Sequence, residues 1–323
     1  ERSIMRSRNA DTAEKVKALT DKLETGVKAV FESEQYKAYM KAMAKFHRYS
    51  FNNVMLILMQ CPNATAVAGF NTWKKQFGRT VKKGESGIQI LAPVPYKRIV
   101  ESVKLDPVTK APVLDASGRP VTETAYVVQQ SYKIAYVFDV SQTEGRELPS
   151  YGAEELTGNV QNYDSMLKAI TELAPVPVVF SEPDGNARGR YVHSEQKIYL
   201  NSGMSQIDTI SILIHETAHA ILHALPVKDG VVVGVPEKSR RTREVEAESI
   251  AYIVCQHFGI ETGDSAFAYI TRWSRDKELE ELKTSLDCIS RTSAEMIDAI
   301  ESCIPDLSKS QDKPEMSEKY FSR

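Results

Sequence analysis

The stretch Ile212-Leu213-Ile214-His215-Glu216-Thr217-Ala218-His219-Ala220-Ile221-Leu222 decides the fold of the second half of the chain. Its apolar residues recur at helical spacing, and no Gly or Pro interrupts residues 211–224. This pattern predicts a long helix that begins near Ser205 and runs through His223. His215 and His219 are four residues apart, so they lie on one face of that helix with Cβ atoms about 5–6 Å apart.

This HExxH pattern predicts a metal centre. Two imidazoles one helical turn apart can bind one Zn²⁺ ion, and the pattern also accommodates another divalent metal. Glu216 directly follows the first histidine and can take a proton from a water that the metal activates. We therefore predict His215 and His219 as metal ligands and Glu216 as the catalytic base. The alternative is a helix with two surface histidines and a solvated acid.

The third metal ligand is expected on a second helix, predicted over 241–258, which can return beside the first. Metallopeptidases of the thermolysin kind place a Glu on this helix and a supporting acid four residues later. Glu244 and Glu248 are similar to that pair in spacing. We predict that Glu244 binds the metal and that Glu248 accepts a hydrogen bond from a ligand imidazole, with Glu248 as the main rival for the ligand position. Glu246 is expected to face solvent.

The remaining histidines and polar residues near the motif are assigned no chemistry. His223 continues the four-residue series but drifts around the helix, which predicts a capping or surface histidine. His193 and His257 are expected to be structural, although His193 could lie near a cleft. Neither Tyr199 nor Arg243 can be assigned as a donor to a transition-state oxyanion from sequence.

Composition and cysteine content indicate a soluble cytoplasmic protein with no membrane partner. The 323 residues are 42% hydrophobic and 26% charged, which is ordinary for globular chains. The longest strongly apolar runs have six residues, far short of the ~18–20 that span a bilayer. Four cysteines without a CxxC pair are typical of reduced thiols. The chain does not begin with Met, so it could be part of a longer protein.

Positive charge is concentrated between Lys41 and Arg98, although the net charge of the chain is −2. This window holds ten basic residues and one acid, Glu85, giving a local charge of +9. Such a segment suits a polyanion, because each Lys or Arg that neutralises a phosphate releases counterions. A solvated basic face without a ligand is the alternative that charge alone leaves open.

The pattern of elements predicts an α+β chain of two domains. Residues 1–147 are predicted as a small domain of helices on an antiparallel sheet, with 101–125 as a projecting hairpin or insertion. Residues 148–305 are predicted as a mostly helical domain around HExxH, with three strands before that motif. Residues 306–323 are predicted as a disordered tail.

Both halves resemble the ArdC-type antirestriction proteins. The first half is similar to their N-terminal single-stranded-DNA-binding domain in four stretches: Tyr49-Ser50-Phe51-Asn52-Asn53, Phe70-Asn71-Thr72-Trp73-Lys74, 78–87 and 137–143. The second half resembles the zincin metallopeptidase domain of that family, which is akin to the ImmA/IrrE group, through HExxH and Glu244-x-x-Ala247-Glu248-x-x-Ala251. The resemblance covers about residues 10–300.

The resemblance implies a protein of a mobile genetic element, spread by conjugation, that binds entering single-stranded DNA and shields it from restriction. A regulatory zinc metalloprotease, which cleaves a repressor or host protein and uses the basic domain for docking, is the alternative; its protein or peptide substrate stays open. A binding module with a structural or vestigial zinc site is a third reading. Base stacking and phosphate contact on the first domain are expected from seven residues: Tyr49, Trp73, Lys74, Lys75, Arg79, Lys82 and Lys83. Core packing is the alternative for the aromatic ones.

Overall fold

The computed structural model describes residues 2–31, 33–107, 109–148, 160, 162–182, 187–262, 273–275 and 277–304. The helices are α1 Arg2–Val30, α2 Ser33–Lys45, α3 Phe51–Gln60, α4 Phe70–Lys75, α5 Tyr163–Leu173, α6 Gln206–Leu222, α7 Arg240–His257 and α8 Leu279–Cys303. The strands are β1 Val67–Gly69, β2 Arg79–Val81, β3 Ile88–Val103, β4 Thr122–Asp139, β5 Thr143–Gly145, β6 Val178–Ser181, β7 Gly189–Val192, β8 Lys197–Asn201, β9 Val227–Lys228 and β10 Val231–Val232.

The first half packs helices on an antiparallel sheet of order β1-β4-β3. Helix α3 is apolar almost throughout, so it is buried, and the amide of Asn53 joins it to the sheet. Asn53 Nδ2 donates to the Leu91 carbonyl at 3.0 Å, and its Oδ1 accepts from the Leu91 N–H at 2.9 Å. Both backbone groups of a buried strand residue are therefore satisfied from the helix.

Strands β3 and β4 continue far beyond the sheet as a two-stranded arm, which we define as residues 94–132. Their pairing is uninterrupted from Ile88 opposite Val137 to Val103 opposite Thr122. The projecting hairpin predicted over 101–125 is present, but it is longer than expected because β4 continues without a break from Thr122 to Asp139. Most of the arm is exposed, including Ile99, Tyr126 and Val128.

The pattern around residues 80–91 predicts a strand, a turn and a second strand, and the structure has these as β2, the segment 82–87 and β3. β2 pairs with β5, in the register Arg79 opposite Gly145, and not with β3. The φ of Gly145 is +132°, and a Cβ there would lie 2.7 Å from the carbonyl oxygen of Gly78. The close approach of these two backbones depends on glycine, which has no Cβ to clash.

The second half is built from a three-stranded sheet and the helices α5 to α8. The sheet has the order β6-β8-β7, with β6 parallel and β7 antiparallel to β8. Helix α6 packs on β7, β8 and α5, and α7 lies between α6 and α8. The last helix, α8, ends at Cys303, and the predicted tail lies outside the described residues.

One hydrophobic core runs through both halves, in keeping with an α+β fold. Helix α2 packs against α7, and the hydroxyls of Tyr36 on α2 and Ser249 on α7 are 2.7 Å apart. The domain limits predicted at 147 and 305 stay predictions. Within the described residues, no helix combines the length and hydropathy needed to cross a membrane.

Asp139 is the last residue of β4, the central strand of the β1-β4-β3 sheet, and it is 1% exposed. Its carboxylate accepts from the N–H groups of Thr65, at 2.7 Å, and Ala66, at 3.1 Å, and from the N–H and hydroxyl of Ser141. Burial opposes ionisation of Asp139, but these hydrogen bonds outweigh it and lower its pKa. One carboxylate thus fixes the loop before β1 to the end of β4.

Replacing Asp139 with Asn should lower the free energy of unfolding at pH 7 by about 1–3 kcal/mol, because an amide cannot accept all of these bonds. The stabilisation from a carboxylate with a lowered pKa is present above its unfolded pKa of about 3.9 and is lost as the pH falls through the folded value. Urea unfolding at neutral pH and near pH 3 measures both effects. Asp287→Asn, at an exposed acid on α8, is the control. If the Asp139 variant is destabilised as much near pH 3 as at neutral pH, the carboxylate of Asp139 does not have this stabilising role.

Candidate metal centre and nucleic-acid surface

Capping residues fix where the two site helices begin. The hydroxyl of Ser205 accepts from the N–H of Asp208 at 3.1 Å and caps α6. Ser239 caps α7 in the same way, with the Thr242 N–H at 3.2 Å. Each cap satisfies a backbone donor that the first helical turn leaves unpaired. The helices predicted from near Ser205 and over 241–258 are thus confirmed within a residue or two.

The structure brings His215, His219 and Glu244 together, with one ligand atom from each. The Nε2 atoms of the two histidines are 3.1 Å apart, and each is 3.6 Å from Oε2 of Glu244. Ligand atoms about 2.0–2.1 Å from a tetrahedral Zn²⁺ are separated by roughly 3.3 Å. The three donors therefore fit one divalent ion and leave one position open for water or substrate.

The charges at these three residues favour a cation among them, which can be a proton or a metal ion. Burial opposes protonation of His215, but the carboxylates of Glu244, Glu216 and Glu248 outweigh it and raise the pKa of His215. The imidazoles of His215 and then His219 hold the pKa of Glu244 far below its usual range. Without an ion, a proton takes its place between these groups, so metal binding competes with protons.

Glu216 is aimed by the neighbouring strand β7. The Tyr191 N–H donates to Oε2 of Glu216 at 2.7 Å, and the Glu216 side chain is almost fully buried. The strand can come this close because residue 189 is glycine. A Cβ at Gly189 would lie 2.4 Å from Cγ2 of Ile212 on α6 and 3.4 Å from Cγ of Glu216.

A hydrogen-bonded chain leads from the metal site into the core behind it. Nδ1 of His219 is 3.0 Å from Nδ1 of His223, and Nε2 of His223 is 2.9 Å from Oε2 of Glu246. Lys238 Nζ donates to both oxygens of Glu246, at 2.8 and 2.9 Å, and the hydroxyl of Ser285 donates to Oε1 at 2.8 Å. Glu246 has no solvent exposure.

This chain sets the tautomer of the ligand His219. A carboxylate only accepts hydrogen bonds, so His223 presents its Nε2–H to Glu246 and keeps a lone pair on Nδ1. His219 then donates its Nδ1–H to His223, which leaves the lone pair of His219 on Nε2, the atom that faces Glu244. Burial lowers the pKa of His223 despite Glu246, in agreement with a neutral ring in this position.

The prediction for Glu246 is wrong, and the prediction for His223 is confirmed in its capping alternative only. Glu246 does not face solvent, because α8 covers the side of α7 that the pattern left exposed. Burial raises the pKa of Glu246, but the bonds from His223, Lys238 and Ser285 outweigh it and keep the pKa low. His223 occupies the C-cap position of α6, as one of the alternatives predicted, but it is buried and not a surface residue.

Glu248 is half-buried on α7, and its charge contributes to the raised pKa values of His215 and of Tyr36. Its role as the acceptor for a ligand imidazole stays a prediction. The acceptor that the structure shows behind His219 is His223, backed by Glu246. Sequence spacing could have suggested this pair, since His223 is four residues beyond His219.

His193 and Arg243 lie at the edge of the same site. Burial, then Arg243 and His219, lower the pKa of His193. Nδ1 of His193 and Nε of Arg243 are buried and have no hydrogen-bond partner among the described residues. Tyr199 is elsewhere: its hydroxyl contacts Glu195 on the outer side of the small sheet.

The two aromatic residues predicted to stack on bases are part of the core. Tyr49 is 2% exposed and its hydroxyl donates to the Val67 carbonyl at 3.2 Å. Trp73 is 1% exposed, and its indole N–H donates to the Phe138 carbonyl at 2.8 Å. The prediction is wrong for both, because neither ring has a face open to a nucleobase.

The predicted basic residues divide into two groups. The guanidinium of Arg79 is used inside the fold: it donates to Thr143 Oγ1 at 2.7 Å, to the Thr143 carbonyl at 3.0 Å and to the Arg146 carbonyl. Lys82 is exposed but donates to the Ser141 carbonyl at 2.8 Å. Lys74, Lys75 and Lys83 are exposed, and their contact with phosphate stays a prediction.

Sequence reasoning missed a row of aromatic residues on the same half of the chain. Tyr132, Tyr136 and Phe138 alternate along β4 and therefore share one face of the sheet. Phe70 joins them, with its ring centroid 6.3 Å from that of Phe138. We call these four residues the aromatic face. Strand alternation over 132–138 was the signal that could have found it.

The aromatic face is open to solvent at three positions. Phe70, Tyr132 and Tyr136 are each about half exposed. Gly87 lies over Tyr136 and Phe138, where a Cβ would be 3.0 Å from Cβ of Tyr136 and 3.1 Å from Cζ of Phe138. The absence of a side chain at residue 87 keeps these rings uncovered.

Replacing His223 with Phe, a ring of similar size without nitrogen, should weaken divalent-metal affinity about 10–100-fold. His219 then has no acceptor for its Nδ1–H, and its Nε2 lone pair is no longer fixed. Competition with a chelator measures the affinity, with thermal unfolding of the metal-free proteins recorded separately. Tyr199→Phe, away from the site, serves as the control, and an affinity equal to that of the unaltered chain would refute the orienting role.

Comparison with known proteins agrees with the two halves of the fold. Residues 11–138 match the family model for the N-terminal domain of anti-restriction factor ArdC. Residues 176–255, which contain the HExxH helix and Glu244, match the model for the IrrE N-terminal-like domain.

Among curated proteins, the chain is 28% identical over 328 residues to an uncharacterized protein of Bacillus anthracis, covering 93% of this chain and 54% of that protein. It is 29% identical over 226 residues to the DNA primase TraC of Escherichia coli, covering 65% of this chain and 14% of the primase. The chain thus spans about half or less of the length of these relatives.

Two crystal structures of the antirestriction protein ArdC from plasmid R388 are similar at low identity. The Mn(II)-bound structure is 16% identical with a TM-score of 0.44, covering 79% of this chain and 84% of that one. The metal-free structure is 18% identical with a TM-score of 0.39, covering 85% and 86%. The chain therefore carries a domain of the ArdC N-terminal family followed by a domain of the IrrE N-terminal-like family, the order that its resemblance to the ArdC-type antirestriction proteins predicts.

Proposed function

We propose that the first half of the chain binds single-stranded DNA and thereby protects the incoming DNA of a mobile element. The observation that carries this proposal is the aromatic face, three of whose rings are open to solvent beside exposed lysines. The match of residues 11–138 to the N-terminal domain of an anti-restriction factor supports it.

The chemistry of the aromatic face favours single strands over duplex. Bases in a single strand can leave their own stack and pack on Phe70, Tyr132 or Tyr136, which is sequence-tolerant because every base has a π-face. Lys74 and Lys75, in the last turn of the helix that Phe70 begins, can contact the backbone phosphates. Lys83 is exposed in the connection between β2 and β3 and is a further candidate for phosphate contact.

Replacing Tyr132 and Tyr136 together with Ala should weaken single-strand binding by about 10-fold or more, since each stacked base contributes about 1–3 kcal/mol. The slope of affinity against salt should stay unchanged, because no charge is removed. Replacing Lys74, Lys75 and Lys83 with Ala should instead flatten that slope by about 0.7 for each phosphate that is no longer neutralised. Fluorescence anisotropy with a labelled oligonucleotide, repeated over a salt series, measures both.

The matched control is Tyr126→Ala, which removes an exposed tyrosine far out on the arm from the same strand face. Duplex of the same length tests the preference for single strands. Unaltered affinity of the Tyr132 and Tyr136 variant would exclude the aromatic face as the binding surface.

We further propose that the second half is a zinc-dependent metallopeptidase. The observation that favours it is the convergence of His215, His219 and Glu244 within ligand distance, with Glu216 beside them. A bound divalent ion supplies the Lewis acidity that makes a water molecule nucleophilic at neutral pH. Glu216, held by the Tyr191 N–H, would be the base that takes a proton from a water at this site and returns it to the leaving amine. His193 and Arg243, whose Nδ1 and Nε have no partner among the described residues, are candidates for donors to the carbonyl oxygen under attack.

Glu216→Gln should reduce peptide cleavage by about 10²–10⁴-fold, because the amide cannot act as a base, while metal content and DNA affinity stay the same. Cleavage of an unstructured protein, with and without single-stranded DNA, is the measurement. Glu195→Gln, at an exposed acid between β7 and β8, is the control. Cleavage that persists in the Glu216 variant would contradict the peptidase proposal, and protection of DNA that persists would show that shielding does not need catalysis.

A further inference from the structure

A second cluster of histidines and carboxylates lies where the first half of the chain meets helices α7 and α8. His47 is in the turn between α2 and α3, His257 is the last residue of α7, and Asp298 and Glu301 are on α8. One ligand atom each from His47, Asp298 and Glu301 lie within 4.8 Å of one another. None of these residues has a role in the metal centre around His215.

His47 is the unusual member, because its ring is buried without a hydrogen bond. Its side chain is 10% exposed, and neither ring nitrogen has a hydrogen-bond partner among the described residues. Its Nε2 faces Oδ1 of Asp298 at 3.6 Å, which is too long for a hydrogen bond. Burial lowers the pKa of His47, so the ring is neutral at physiological pH and has a lone pair available.

The opposite wall of the cluster is a buried carboxylate that lies beside a second imidazole. The Glu301 side chain is 4% exposed, and its Oε1 is 3.0 Å from Nε2 of His257. The other nitrogen of His257, Nδ1, donates to the Ala44 carbonyl at 2.8 Å. The ring is therefore oriented with Nε2 toward the carboxylates, in the way that a carbonyl behind a metal-binding histidine orients its ring.

We propose that His47, Asp298 and Glu301 form a second binding site for a divalent metal ion, with Nε2 of His257 beside it as a further donor. Imidazole nitrogens combined with carboxylate oxygens suit Zn²⁺ and neighbouring first-row ions. An ion would give the nitrogens of His47 the partner that they lack. Asp298, whose side chain is half exposed, lies at the entrance from solvent.

Arg48 occupies the cluster as a competing cation. Its Nη2 is 3.7 Å from Oε2 of Glu301 and 3.9 Å from Oδ1 of Asp298. Both distances are longer than a hydrogen bond, and the Arg48 side chain is 37% exposed, so the guanidinium can move outward when an ion enters. Removal of Arg48 should therefore strengthen metal binding, which a purely structural ion-pair cluster does not predict.

The role of such an ion would be to fasten the two halves of the chain. His47 belongs to the range matched to the ArdC N-terminal domain, whereas His257, Asp298 and Glu301 lie beyond the end of the second matched range. An ion bound only by the folded chain stabilises it by mass action, so unfolding should become dependent on metal concentration.

The test is metal stoichiometry in the full chain carrying His215→Ala and His219→Ala, which removes the first centre. After saturation with Zn²⁺ and gel filtration, elemental analysis should find two ions in the unaltered chain and one in this double variant. Adding His47→Gln and Asp298→Asn should leave none, and adding Arg48→Gln instead should tighten Zn²⁺ binding about 10-fold or more. Thermal unfolding of the double variant should shift upward with Zn²⁺.

Asp287→Asn, at an exposed acid on the same helix, is the matched control for Asp298→Asn and should retain the ion. Circular dichroism of each metal-free variant establishes that it is folded. No bound ion in the His215 and His219 variant, or an ion that survives the His47 and Asp298 substitutions, would overturn the proposal. Either result would leave the peptidase proposal untouched, since that rests on the first centre.

Discussion

The metal centre depends on one buried negative charge, the carboxylate of Glu246. A carboxylate without solvent contact is stable only when donors surround it, and His223, Lys238 and Ser285 supply four hydrogen bonds. Because its partners come from α6, from the segment before α7 and from α8, the charge holds three parts of the chain around α7. The same charge orients His223, and through it the ligand His219.

The helices and the HExxH site were predictable because they depend on local periodicity. Residues 205–223 repeat apolar side chains at the helical period, and ligands on one face follow from that period alone. Glu246 was misjudged because its environment depends on α8, whose Ser285 lies 39 residues further along the chain. A helical pattern records which face is apolar, but not which polar side chain a later helix will cover.

The exposure of Trp73 was misjudged for a related reason. Trp73 follows the exposed Phe70 by three residues on a short helix, and adjacent lysines made it look like a binding residue. In the fold its indole finds a carbonyl acceptor on β4, so the polar group that could have met solvent is satisfied inside. The alternation of Tyr132, Tyr136 and Phe138 is visible in the sequence. Only the pairing of β3 with β4 shows that their side of the sheet stays open to solvent.

The two halves are coupled through buried polar contacts as well as through apolar packing. Tyr36 on α2 meets Ser249 on α7, and His257 at the end of α7 meets the Ala44 carbonyl at the end of α2. If a ligand on the first half displaced α2, these contacts would also shift α7. Helix α7 carries Glu244, the predicted third metal ligand.

The two-stranded arm extends far beyond the hydrophobic core of the molecule. Eleven paired positions, from Pro93 opposite Tyr132 to Val103 opposite Thr122, continue past the last fully buried residue, Ala92. At about 3.3 Å per residue this ribbon carries its tip roughly 35 Å outward. Successive residues such as Tyr126 and Val127 point to opposite sides of the ribbon and are both exposed, so the arm presents two open faces where the body behind it presents one.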